Sequence, residues 1–130
     1  MNTNFAEFFK DCDKNLPITE EVVLNLPKNL PESYIEFLKF SNGIEGSVSN
    51  GSYLRLWKAE ELDELNKGYE AEEYVPGMLL VGTDGGDEAI GIDLRKDSST
   101  FGSYFMVPFI TLRWEDAKLL GPEVTDFKII

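Results

Sequence analysis

The 130-residue chain contains no histidine. That removes the usual general base, the Ser-His-Asp and Cys-His constellations, and the commonest zinc ligand. Cysteine is almost missing too. Cys12 has no second thiol, so neither an intrachain disulfide nor a cysteine zinc site can form, which fits a reducing compartment. Cys12 reads as a small residue at a helix end. No apolar run approaches the roughly 20 residues that span a bilayer. Residues 1–7 lack the basic patch and long apolar stretch of a secretory leader, so a cytoplasmic location is expected. Basic residues are scarce: twelve face twenty-four acidic ones, for a net charge of −12. Phosphate backbones and anionic membranes both need a cationic surface, so direct binding to nucleic acid or membrane is not expected.

What is present is enough for a core. A hydrophobic fraction of 42% is ordinary for a globular chain. At this length one domain over residues 1–130 is expected, burying about two-thirds of its unfolded surface. The acidic excess keeps a surface solvated. It also suits a strongly basic partner, whose encounter it would speed.

The chain is organised around residues 74–94. The apolar run of residues 78–81 reads as a strand buried on both faces. Residues 82–88 read as turn, with Gly85 and Gly86 free to take positive φ. Residues 89–94 read as the returning strand. Earlier, Phe5, Phe8 and Phe9 have helical spacing with Thr3 or Asn4 as cap, and the polar residues 11–15 end that helix. Thr19 is placed to cap a second helix, although Val22, Val23 and Leu24 fit a strand equally well. Pro31 opens a third helix with Tyr34, Phe37, Leu38 and Ser41 on one face, and Asn42-Gly43 closes it with a left-handed cap. Asn50-Gly51 predicts a two-residue hairpin turn. Residues 59–67 predict a helix with Leu62 and Leu65 inward, ended by Gly68. Residues 104–107 predict a strand that stops or bulges at Pro108. The spacing predicts a helix over 114–120, and the tail 126–130 is too short to assign.

Several stretches together resemble the SMI1/KNR4 family, also called the SUKH superfamily. They are the Leu30-Pro31-Glu32-Ser33-Tyr34-Ile35-Glu36-Phe37-Leu38 helix running into Ser41-Asn42-Gly43, then Leu56-Trp57 before Glu61-Leu62, then Asn66-Lys67-Gly68-Tyr69. Val75-Pro76-Gly77 follows, through Val81-Gly82-Thr83-Asp84-Gly85-Gly86 to Ile92-Asp93-Leu94. The resemblance covers roughly residues 16–110. It implies an α+β fold, a mostly antiparallel sheet with helices packed against it. It further implies a non-catalytic role: bacterial members are associated with immunity against secreted toxins, many of them nucleases or deaminases, and fungal members with regulatory scaffolding. No catalytic set comes with it. At the matching positions Gly82, Gly85 and Gly86 allow a tight connection, and Asp93 is placed to hydrogen-bond a neighbouring loop.

Candidate chemistry is thin. The turn holding Asp84, Asp87 and Glu88 has a phosphate cradle's glycines without its lysine, and its carboxylates would repel an anion. It has calcium-type ligands without the EF-hand spacing. No catalytic residue, metal site or cofactor is expected, and neither is an enzyme. The candidate partner surface is the acidic band Glu60, Glu61, Asp63, Glu64, Glu70, Glu72 and Glu73, interleaved with Tyr69 and Tyr74, together with Asp84, Asp87 and Glu88. Charge runs usually face water. As a contact surface, the tyrosines would anchor while the carboxylates pair with a partner's Lys or Arg. The expected partner is therefore a basic protein, such as a toxin domain. The alternative is a regulatory scaffold or small-ligand sensor using a pocket near the central turn.

Overall fold

The structure, a computed structural model, describes residues 5–127. Among these residues seven strands form one sheet in chain order: β1 (Asp13–Lys14), β2 (Ile44–Ser47), β3 (Tyr53–Leu56), β4 (Met78–Thr83), β5 (Glu88–Asp93), β6 (Tyr104–Pro108) and β7 (Lys118–Gly121). Every neighbouring pair is antiparallel. The helices are short: α1 (Phe5–Phe8), α2 (Glu20–Leu24), α3 (Glu32–Phe40), α4 (Leu62–Gly68) and α5 (Ala71–Tyr74). This is the α+β class expected, an antiparallel sheet with helices packed against it. None of the described helices is long and apolar enough to cross a membrane.

The central hairpin is buried on both faces because its pleat feeds two cores. On β5 and β6, Ile90, Ile92, Tyr104 and Met106 join a cluster with Phe9, Tyr34, Phe37 and Leu38 of the α1–α3 side. The alternate residues Ala89, Phe105 and Val107 join a second cluster with Ala71 and Val75 around α5. On β4 the same alternation sends Leu79 and Val81 to the first cluster and Met78 and Leu80 to the second, and the ladder to β5 bulges between Leu80 and Gly82. Gly82 lies inside β4, not in the turn as expected. There β3 crosses so closely that a Cβ would run into the Arg55 carbonyl oxygen and lie 2.9 Å from Leu56 Cα. Glycine is required at this position by the approach of the two backbones. The turn itself is shorter, residues 84–87, and of its two glycines only Gly85 takes positive φ, at 86°.

Other boundaries moved for physical reasons. Thr19 does cap α2, its Oγ1 accepting from Val22 N at 3.3 Å. The Thr3 or Asn4 cap and most of the tail 126–130 lie outside the described residues. Residues 13–14, expected only to end the first helix, form the edge strand β1 against Ile44 and Glu45. α3 ends with Ser41 in an extended conformation rather than in a left-handed Asn42-Gly43 cap. Asn42 instead spans two elements, accepting from Ala59 N and donating to Glu60. The β2–β3 connection is residues 48–52, with Val48 N donating to Ser52 O around residues 49–51, Gly51 N to Val48 O, and Gly51 at positive φ. That is the wider hairpin built on a turn plus a left-handed residue. The predicted helix over 114–120 does not form. A 3-10 turn at Trp114–Asp116 leads into β7, whose backbone pairs with β6.

Candidate functional site

The start of α4 is pinned by side chains. Glu61 accepts from Lys58 N at 3.1 Å, and Leu62 is buried beneath the helix. α4 ends at Gly68, as expected, but Gly68 is itself helical and Tyr69 caps it; the left-handed break comes at Glu70, which takes φ 57° and ψ 44°. α5 then begins at once. The two helices pack over the start of β4, where the strand pairs with β5 on one side but has no strand on the other. β3 pairs with β4 only at Arg55–Thr83 and Leu56–Gly82. Asn66 fills the gap: its Oδ1 accepts from Leu80 N at 2.8 Å and its Nδ2 donates to Leu80 O at 2.9 Å, as a paired strand would. Asn66 was missed as a candidate. Its position four residues after the inward Leu62 was the available signal, because a polar side chain on an inward helix face needs a bonding duty.

Here a groove of about 590 Å³ opens. Ala71 and Met78 are buried in its base and Leu79 and Leu94 half-buried. Exposed carboxylates of Asp63, Glu70, Glu72 and Glu73 stand around it, with Lys67 beside them. Lys67 Nζ rests 3.1 Å from Asp63 Oδ2. Four of the twelve candidate residues are therefore gathered at one apolar depression.

The other eight are placed elsewhere. Glu60 is bonded by Asn42 Nδ2 at 2.7 Å, which holds its carboxyl below the usual range. Glu61 lines a separate hollow with Asp13, Glu45, Arg55 and Lys58. Glu64 is exposed on α4 and Tyr74 is 48% exposed on α5, and neither lines the groove. Tyr69 stacks between Trp57 and Phe109, with ring centroids 6.1 and 4.8 Å away. Asp84 Oδ1 accepts from Gly86 N and Glu88 N, so it holds its own turn. Asp87 is exposed, and its carbonyl accepts from Phe109 N. Glu88 is half-buried, and burial, with Asp84 nearby, raises its carboxyl above the ordinary value. The groove lies at the Met78 end of the hairpin and the acidic turn at the other. Five residue steps of strand put them roughly 16 Å apart. This groove is thus at the opposite end of the strand from the central turn.

Next to the groove, on either side of Leu94 in the chain, lies a hydrogen-bonded network centred on Asp93. Asp93, fully buried, accepts from Arg95 N and Nε at 2.9 and 3.0 Å, from Arg95 Nη2 at 3.0 Å, and from Ser98 Oγ and Thr100 Oγ1 at 2.6 Å each. Burial by itself would raise its carboxyl. The bonds from Arg95, Ser98 and Thr100 outweigh that and hold it well below the usual carboxylate range. Arg95 lies over the Trp114 ring, 3.6 Å from its centroid, and Trp114 Nε1 donates to Pro76 O at 2.8 Å. Asp93 thus bonds the loop that follows it, as expected, and through Arg95 braces the turn leading into the groove.

Glu70 carries strain that a glycine would not. A left-handed conformation costs an ordinary residue about 1 kcal/mol or more. Glu70→Gly is expected to raise the unfolding free energy by about 0.5 kcal/mol after the looser unfolded chain offsets part of the gain. Urea midpoints check this, and a lower midpoint would show that no strain is held there.

Among the described residues no group of three or more Cys, Asp or Glu side chains is placed to hold a metal ion. The groove combines an apolar base with exposed anionic groups around it. The family model described as SMI1 / KNR4 family (SUKH-1) matches residues 18–128. Comparison with curated proteins gave no match.

Proposed function

The chain belongs to the SMI1/KNR4 family (SUKH-1), and from that membership we propose that it is a protein-binding module of the immunity type, neutralising a cognate toxin by occlusion. It performs no bond chemistry of its own. The observation that carries this reading is the groove between α4, α5 and β4, where Asp63, Glu70, Glu72 and Glu73 surround an apolar base. Interfaces draw their energy from a desolvated apolar centre and their selectivity from charge at the edge. A net charge of −12 extends the same preference over the whole molecule. The partner is a basic protein domain, and a nuclease domain, which must itself carry positive charge to hold nucleic acid, fits best.

The test is reconstitution with purified toxin domains encoded beside this chain's gene. One of them should co-elute with the protein and lose its activity in a one-to-one complex. If none binds at low or moderate salt, the immunity reading fails. The volume of the groove also favours a second reading, a small-ligand sensor. A ligand specific to the native state would raise the melting temperature in a thermal-shift screen.

A further inference from the structure

Resting on the immunity reading, we infer that the groove receives one arginine side chain from a loop of the protein partner, and that Lys67 occupies the anionic rim until the partner arrives. The groove has the composition such a side chain needs. An arginine stem is apolar and packs along hydrocarbon while its head stays polar. Met78, Leu79 and Leu94 supply the hydrocarbon. Glu72 and Glu73, on the first turn of α5, and Glu70 before it supply the carboxylates. A guanidinium is weakly hydrated and can bond two carboxylates through its planar fork, which an ammonium cannot.

Charge complementarity fixes the sign of the occupant. Four carboxylates line the groove, and among the described residues Lys67 is the only cation lining it. Its contact is an i, i+4 pair with Asp63, and both side chains are more than three-quarters exposed. Exposed pairs of this kind are weak and readily displaced. Among the described residues the rest of the rim has no lining cation to satisfy it. An incoming arginine therefore meets surplus negative charge and an internal competitor that is loosely held. The strained backbone at Glu70 fits the same picture, since it sets a carboxylate at the rim while Gly68, two residues earlier, is left in ordinary helix.

The probe is the peptide acetyl-Gly-Arg-Gly-amide, with a counterpart carrying uncharged citrulline, titrated into the isotopically labelled full chain. The arginine peptide should shift the amides of residues 62–80 with a dissociation constant of about 1 mM. The citrulline peptide should leave them unmoved. Lys67→Ala should tighten binding about twofold, because it removes the competitor, and the Glu72→Gln/Glu73→Gln pair should weaken it about fivefold. All three positions are exposed, so matching melting curves confirm that folding is unchanged. Shifts centred elsewhere, equal shifts with citrulline, or weaker binding by Lys67→Ala would each overturn the inference. If the peptide ignores the groove while a toxin domain still binds the protein, the arginine site is wrong and the immunity reading stands. If the peptide binds as described and no toxin domain does, the reverse holds.

Discussion

Asp93→Ala is expected to lower the unfolding free energy by about 3 kcal/mol. The side chain is fully buried and accepts hydrogen bonds from Arg95, Ser98 and Thr100. Removing one member of a buried ionic network strands the others, at about 3–5 kcal/mol when all are enclosed. Arg95 is 42% exposed and can turn to water, which places the loss at the lower end. Urea or thermal unfolding measures it directly, and a loss below about 1 kcal/mol would mean that the network contributes little.

The same carboxylate makes stability depend on pH. Its folded value is depressed, so the folded state binds fewer protons than the unfolded chain in the acid range. The stabilisation is fully present above the ordinary carboxylate value of about 4 and is lost as pH falls toward the depressed one. Wild-type stability should therefore decline below about pH 5, and Asp93→Asn should flatten that decline while lowering stability at neutral pH. The groove is affected as well. Arg95 lies over Trp114, and Trp114 holds the Pro76 carbonyl, so loosening Asp93 loosens the turn that leads into Met78.

The second large effect is on binding. Glu72→Lys combined with Glu73→Lys should slow association with the toxin domain proposed as partner by about tenfold to a hundredfold at low salt. Both residues are exposed, so stability should stay within about 0.5 kcal/mol of wild type. The equivalent reversal at Glu61 and Glu64 should matter less. Glu61 belongs to the neighbouring hollow with Arg55 and Lys58, and Glu64 does not line the groove. Equal effects from the two pairs would mean that overall charge, not the groove, governs encounter.

Where a segment's own pattern decided its structure, the sequence reading held. The apolar run at residues 78–81 can be satisfied only between two cores, and it became β4. The spacing of Tyr34, Phe37 and Leu38 put one face of α3 into the core. Where distant backbone decided, the reading failed. Trp114, Ala117 and Leu120 repeat at near-helical spacing, but the open edge of β6 offered residues 118–121 ladder bonds instead. β1 is two polar residues, and only the presence of Ile44 and Glu45 makes them a strand. The candidate site divided in the same way. Its acidic residues were visible as a band along residues 60–73. That Asp63, Glu70, Glu72 and Glu73 share a groove, while Glu60 and Glu61 turn to other partners, depends on the left-handed break at Glu70 and on Asn66 replacing a strand beside Leu80. The break at Glu70 has no spacing signature, and Asn66 left only its place four residues after the inward Leu62 as a hint.

The most direct measurement is the association rate with the toxin domain proposed as partner as a function of salt, for wild type and for the Glu72→Lys/Glu73→Lys variant side by side. Attraction between an anionic groove and a cationic partner predicts a steep fall for wild type as ionic strength rises, and a much shallower one for the variant. Identical slopes for the two proteins, or a wild-type rate indifferent to salt, would contradict it.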